Sequence, residues 1–407
     1  MRQFYKMKLI FFLFFTIVII KPIFAQNQEI NINLAFQSKH FFDSHADLFP
    51  PNRNKAKFDI KYNLDGLSSQ IALNYDEYSQ FNFDRSYIQY TKGIATYGVG
   101  AIDRHWSFSK NTSLILSHNA RPSKSTYLKL KNKFNYDWLH PQANWSLEIF
   151  NGRTEGSLNG SKSMLLGVRA VLTPIDGLNF ELLQTSQWGG KGYNNGISAL
   201  GASLFFDTNN GKNSNINKMA GFGVSYLIPI NKMPLRIYGQ VIGEDEAGNL
   251  PSCNAYLAGL EWSNKKMKYP TTLGIEVIDT RINTTTHGNC GPNTMYNNNA
   301  YDYVNYGDTM GVGIDTEGKS LEFFGQTQLS QKINIIYSKK TVIINDANYS
   351  SHRLSSNRQS GSINSLGISW KKDNLNFIGS MYNHGLNLNK SNIKNKSGIG
   401  FSASYKF

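Results

Sequence analysis

The sequence predicts an all-β fold, a transmembrane antiparallel β-barrel of about 18 strands with long extracellular loops. Aromatic residues make up 13% of the chain, with 22 Tyr and 25 Phe beside 35 Gly, yet only 40% of residues are hydrophobic. That composition suits a wall with one apolar face. Apolar and polar residues also alternate with period two in many segments, and helical periodicity is nowhere persuasive. Beyond the N-terminus no apolar run reaches the ~20 residues that a membrane helix needs.

Residues 1–25 read as a cleaved signal peptide, leaving 26–407 as a single outer-membrane barrel domain. Arg2, Lys6 and Lys8 precede a short apolar run, "LIFFLFFTIVII", and Ala25 precedes the polar Gln26. Ile23 is a weak fit to the cleavage pattern, and the absence of cysteine near the cut argues against a lipoprotein anchor. Cleavage removes four Lys/Arg, leaving 38 cations against 28 acids, a net charge of +10. Such an excess suits nucleic acid, anionic lipid or an acidic polymer. Export disfavours nucleic acid, and the charge is spread along the chain.

Strand candidates then follow in order. "NINLAF" places Ile32, Leu34 and Phe36 on one face, and "KAKFDIKYNL" sets Phe58, Ile60, Tyr62 and Leu64 against Lys57, Asp59, Lys61 and Asn63. Others run near 69–78 and 81–90, in "TSLILS" (Thr112 to Ser117, read as barrel wall), in "NWSLEIF" and near 163–173 and 178–186. They continue in "MAGFGVSYLI" and near 234–243, 271–279, 320–329, 332–344, 363–370 and 375–383. The end, "GIGFSASYKF", sets Ile399, Phe401, Ala403, Tyr405 and Phe407 against Gly398, Gly400, Ser402, Ser404 and Lys406. A final Phe407 resembles the C-terminal strand of outer-membrane proteins, which the barrel assembly machinery engages. In water so apolar an edge would invite aggregation. A β-sandwich is the competing fold, and repeated aromatic strand ends behind a signal peptide favour the membrane barrel.

Two connections, 189–218 and 279–308, are long and rich in Asn and Gly. Barrel loops of this size lie outside the cell or fold into the mouth. Their aromatics, among them Phe205, Phe206, Tyr296, Tyr301 and Tyr303, suit sugar faces as well as loop packing. Cys253 and Cys290 fall in polar segments, "NLPSC" and "HGNCGP", that read as loops, and a disulfide or two free thiols both fit.

Three groups of residues could carry chemistry. Asp84 and Arg85 interrupt the apolar run "FNFDRSYIQY", and a charge facing lipid at mid-depth would cost about 2–4 kcal/mol, so such charges belong to the lumen or a strand end. "AIDRHW" and "SHNARP" follow, and the acids Glu244, Asp245 and Glu246 sit at a later strand end. Three acids can bind a divalent cation, but this run lacks the ligand spacing of a hard-cation site, so ion pairing is the preferred reading. In "QTSQWGGKG" the glycines after Trp188 lack the context of a phosphate-binding fingerprint and read as a tight turn. Ser117, His118 and Asn119 invite a lipase comparison. Adjacent residues on a strand face opposite ways, so they could not share one site there.

The segments "NFDRSYIQY", "YGVGAIDRHW", "SLILSHNARP", "TSQWGGKG", "IYGQVIGEDEAGNLPS" and "GIEVIDT" occur in that order over residues 82–280. Together they resemble the Wzi-like capsule assembly family of outer-membrane proteins. The resemblance implies an eighteen-stranded barrel closed to free diffusion, a surface lectin for capsular polysaccharide. Carried over residue by residue, it implicates Asp84, Arg85, Tyr87, Arg104, Trp106, Asn119, Arg121, Trp188, Glu244, Asp245, Glu246 and Asp279 in polysaccharide binding or a lumen network. The chain departs from the family in lacking an evident helical stretch before the first strand. It also has "SFSKNT" where a Gly-Pro-Gly-like turn commonly follows the tryptophan. The expectation is a monomeric, non-catalytic outer-membrane protein of a Gram-negative bacterium, without cofactor or metal, whose partners are capsular or extracellular polysaccharide and outer-membrane lipids. The alternative is a transport barrel for small solutes.

Overall fold

The computed structural model describes residues 29–44, 47–50, 53–77, 80–134, 143–156, 162–205, 215–229, 234–247, 250–282, 290–298, 300–391, 393 and 396–407. The expected signal peptide, 1–25, lies outside the described residues.

Strands β1 (Glu29–Gln37), β2 (Lys55–Leu64), β3 (Leu67–Asp76), β4 (Gln80–Asn82), β5 (Tyr87–Lys92), β6 (Ala95–Gly100) and β7 (Lys124–Lys133) form the first part of an antiparallel wall. It continues through β8 (Asn144–Arg153), β9 (Met164–Ile175), β10 (Leu178–Trp188), β11 (Asn217–Ile228), β12 (Leu235–Ala247), β13 (Leu250–Asn264) and β14 (Thr271–Asp279). A small ribbon of β15 (Val304–Asn305) and β16 (Asp308–Thr309) intervenes. The wall then resumes with β17 (Lys319–Gln328), β18 (Ile333–Ile344), β19 (Gln359–Lys372), β20 (Leu375–His384) and β21 (Ser397–Lys406). Pairing of β21 with β1 closes the ring. β4 and β5 both pair with β3, so the 19 strands of the sheet make 18 wall positions.

Connections at one end are tight. Asp65 and Gly66, both at positive φ, form the β2–β3 turn, which suits the right-handed twist of a hairpin. At the other end they include 101–123, 189–216, 280–318 and 345–358. In barrels of this kind the short turns face the periplasm and the long loops the cell exterior.

The alternation in sequence becomes an inside and an outside. On β10, Thr185 bonds to Tyr303 and Gln187 to the Asp302 carbonyl within the lumen, whereas the intervening residues point outward. Leu182 (66% exposed), Phe222, Phe323 and Ile399 (77% exposed) belong to an outer face that only lipid would cover. The main apolar core lies inside the ring, an arrangement that period-two alternation alone does not predict. Loop 101–123 leaves the wall at Gly100, enters the lumen and returns at Lys124. Its Trp106, Leu114, Ile115 and Leu116 pack with Tyr296, Tyr303, Val312 and Ile314 from loop 280–318 and with inward wall residues such as Leu183 and Ile242. Burying each such side chain stabilises the plug by about 1.5–3 kcal/mol. The approach is close at Gly311, where a Cβ would lie 2.6 Å from the Leu114 carbonyl oxygen.

Three expectations need correction. Thr112 to Ser117 is irregular chain in the plug rather than wall, because Thr112 through Leu116 are all buried and no face is left for lipid. The run 81–90 is broken between β4 and β5: from Asn74↔Asn82 to Gln70↔Tyr87, four steps on β3 face five on the other chain. At this bulge Arg85 has φ 71, and the Ser86 hydroxyl accepts from the Ala72 N–H (2.9 Å) and donates to its carbonyl (3.3 Å). Finally, a helix, α1 (Ile197–Phe205), lies within loop 189–216. Its nine residues are too few to show helical periodicity clearly.

Candidate functional site

The long-loop end is organised by contacts between loops 101–123 and 280–318. At the outer edge Arg121 meets Asp84 with two prongs, Nε to Oδ2 at 2.6 Å and Nη2 to Oδ1 at 3.0 Å. The Arg121 guanidinium also lies 3.8 Å from the centre of the Tyr306 ring. Burial pushes its pKa down, but the hydrogen bond and charge of Asp84 outweigh that and leave it raised. Asn305 Nδ2 donates to the Arg121 carbonyl (2.8 Å), Asn119 Nδ2 to that of Thr309 (2.8 Å), and Ser117 Oγ to that of Gly311 (2.6 Å). The "SHNARP" stretch therefore joins the two loops.

Deeper in, buried Arg104 donates to Glu148 Oε1 (2.9 Å) and Ser125 Oγ (3.0 Å), with its guanidinium 3.8 Å from the centre of the Phe150 ring. Trp106 packs edge-on against Phe150 at 5.5 Å. Its carbonyl accepts from Gln240 Nε2 (2.6 Å), while Gln240 Oε1 accepts from the Leu114 N–H (2.8 Å). One wall amide thus holds both limbs of the loop. The loop also reaches the wall at Ser109, whose hydroxyl donates to Glu276 (2.5 Å), and Lys110, which pairs with Glu261 (2.8 Å). Tyr296 and Tyr303 donate to the carbonyls of Leu114 (2.7 Å) and Ile115 (2.9 Å). Cys253 and Cys290 are disulfide-bonded, Cα–Cα 5.3 Å; Cys253 lies on β13 rather than in the loop expected for it, because β12 and β13 stay paired out to Ala247 and Leu250, so the bond ties loop 280–318 to the wall.

Asp315 accepts from Arg353 Nε (2.7 Å); burial raises its pKa, but the arginine's charge outweighs that and holds it below the usual carboxylate range. His105 Nε2 donates to the Ser109 carbonyl (2.7 Å), and the ring stacks on His118 at 4.9 Å. Burial lowers its pKa to about 4. With Ser117 committed to Gly311, His118 to His105 and Asn119 to Thr309, the three side chains have separate partners and form no relay.

Of the residues singled out in sequence, Asp84, Arg104, Trp106, Asn119 and Arg121 join this network. Glu244 reaches it through Oε2, which accepts from the Tyr296 N–H (3.3 Å). Tyr87 lines the inner face of β5 with Gln89, whose Oε1 accepts from Tyr127 (3.0 Å). Arg85 pairs with Asp103 at a half-exposed site. Asp279 sits on the rim, bound to Arg281 (2.7 Å). Trp188 faces away from the lumen and is buried beneath α1, apart from the network. Asp245 and Glu246 lie on β12, with side chains outside the described residues. Tyr296, Tyr301 and Tyr303, candidates for either sugar contact or packing, are buried. Sequence reasoning missed Gln240 and Arg353: alternation beside Tyr238 indicates which way Gln240 points, but its partners in the plug, Trp106 and Leu114, lie more than a hundred residues away.

A family model for capsule assembly protein Wzi matches residues 24–394. A relative from Klebsiella pneumoniae, an uncharacterized 55.8 kDa protein in the cps region, is 27% identical over 209 residues, 50% of this chain and 42% of the relative. The chain therefore matches less than half of that relative's length. Among solved structures the chain is similar to Wzi of Escherichia coli, an outer membrane protein involved in group 1 capsule assembly and a carbohydrate-binding β-barrel. Their TM-score is 0.75 at 20% identity, over 94% of this chain and 84% of that one. OccD3 (OpdP) of Pseudomonas aeruginosa is similar in fold, with TM-score 0.53 at 12% identity over 94% and 92% of the two chains.

Proposed function

Because this chain belongs to the capsule assembly protein Wzi family, we propose that it binds or organises capsular or extracellular polysaccharide at the cell surface, without catalysing a reaction. The chain is an outer-membrane β-barrel. The observation that carries the reading is the plug. Asp84–Arg121, Asn119–Thr309 and the Gln240 clamp join loops across the lumen, so function is assigned to the mouth rather than to a passage. Exposed Tyr306, Tyr349, His118 and Arg358 offer rings and donors to sugar faces and hydroxyls. Arginine would add charge-assisted bonds where the polymer carries carboxylates. The N-terminal signal is cleaved after Ala25, the C-terminal strand engages the assembly machinery, and the barrel works as a monomer.

Surface-bound polysaccharide in a strain deleted for the protein is the direct test. Loss of retention is expected, and unchanged retention would end this reading. Single-channel recording tests the alternative, since a large steady current would favour a transport barrel.

A further inference from the structure

The outer face of the wall turns polar at the long-loop ends of β10 and β11. Gln184 and Ser186 alternate with inward Thr185 and Gln187, and Lys218 is paired with Ser186. Lipid gives such groups no partners. Helix α1 does: the Ser203 carbonyl accepts from Gln184 Nε2 (2.7 Å) and Ser186 Oγ (2.8 Å), and the Ala202 carbonyl accepts from Lys218 Nζ (3.5 Å). Ala199 and Ala202 meanwhile pack on Leu166 and Trp188, outward residues of β9 and β10. The helix is thus laid on the outside of the barrel.

Its other face is apolar. Ile197 is 88% exposed and Gly201 follows it at helical spacing, in a segment with no charged residue, while Leu204 leans back onto the Trp188 cluster. This surface continues the lipid-facing wall of exposed Phe180, Leu182 and Phe222. Beside it the strand ends form one outward row: Lys124 opposite Arg153, Arg153 opposite Met164, and Met164 opposite Trp188. Lys124 and Arg153 are exposed, and among the described residues neither makes an ion pair. Glu155, two positions beyond Arg153, is held by Lys162 at 2.5 Å.

We propose that this corner is a docking site for an outer-leaflet lipid with phosphate on its headgroup. Acyl chains lie along the Ile197 face of α1, and Lys124 and Arg153 hold the phosphate. Two arguments select lipid over a soluble partner. The apolar face is continuous with the membrane wall, and the cations border it at the end where headgroups lie. The site is separate from the mouth network and stands whether or not the mouth binds polysaccharide.

The test uses the full-length protein, with heat-modifiable gel mobility as the check on folding. A nitroxide at Ile197→Cys in reconstituted bilayers is expected to be more accessible to oxygen than to a polar nickel reagent. By native mass spectrometry, Lys124→Ala with Arg153→Ala is expected to retain diphosphoryl lipid A about tenfold more weakly. Alanine at the short-turn residues Lys265 and Lys266 should leave retention unchanged, and excess inorganic phosphate should not displace the lipid. Preferential nickel access at 197, equal retention by the double variant, or displacement of lipid A by a soluble acidic polysaccharide would each overturn the site.

Discussion

Arg121 in the lumen loop and Asp84 at the β4–β5 bulge form a two-pronged ion pair at 2.6 and 3.0 Å, fixing the plug to the wall where its register breaks. Arg121→Ala leaves a largely buried carboxylate without its cation. The expected cost is about 1.5–3 kcal/mol, because the bond is charge-assisted. Denaturant titration would measure it, and brief current openings in planar bilayers should accompany the loss. A variant as stable and as silent as the parent would contradict this.

Gln240→Ala removes the amide that spans both limbs of the loop and leaves the buried Leu114 N–H without its acceptor. A penalty of about 1–3 kcal/mol is expected from the stranded donor alone. Limited proteolysis should show new cuts within 101–123 while the wall stays intact. Gln240→Glu sets a carboxylate against the Trp106 carbonyl and the buried Glu181, to both of which Gln240 Nε2 donates, and should cost at least as much as alanine.

Replacing Cys253 and Cys290 by serine frees a segment of sequence separation 37. Loop-closure entropy puts the loss at about 3–4 kcal/mol. The heat-modification temperature should fall for the serine variant and, equally, for the parent treated with reductant. Reductant should have no further effect on the variant.

His105 titrates near 4 in the folded protein against an ordinary value of about 6.5. Below 6.5 the unfolded chain therefore binds a proton that the folded one refuses. The stability that His105 contributes is present above 6.5 and declines as pH falls toward 4. Glu317, raised by burial despite its backbone hydrogen bonds, works the opposite way, gaining protons in the folded state first. The comparison is therefore between parent and His105→Gln: their difference in unfolding free energy should change between pH 7 and pH 4 and be flat above 7.

The wall was largely legible because one face meets lipid and the other does not. β14 has the bounds that alternation predicts, and β1, β2, β11 and β21 carry their apolar residues on one face as expected. Loop 101–123 was not legible, since Leu114 to Leu116 have the composition of a strand. Only their distant partners, Gln240, Tyr296 and Tyr303, reveal that they are enclosed. Candidate residues followed the same division. The charges of "FNFDRSYIQY" and "SHNARP" signalled a polar interior, but which acid met which arginine depended on a bulge that no local pattern announces. Trp188 shows the converse: the family resemblance put it among the polysaccharide-binding or lumen residues, and its place beneath α1 follows from side-chain parity on β10.

The Cys253–Cys290 bond also bears on biogenesis. It joins a strand in the middle of the wall to the start of the loop that fills the lumen, and all of β14 lies between the two sulfurs. A chain oxidised in the periplasm would reach the membrane with β13, β14 and the root of the plug already one covalent ring. The plug would then be carried in by the closing wall instead of having to find its way through a finished mouth.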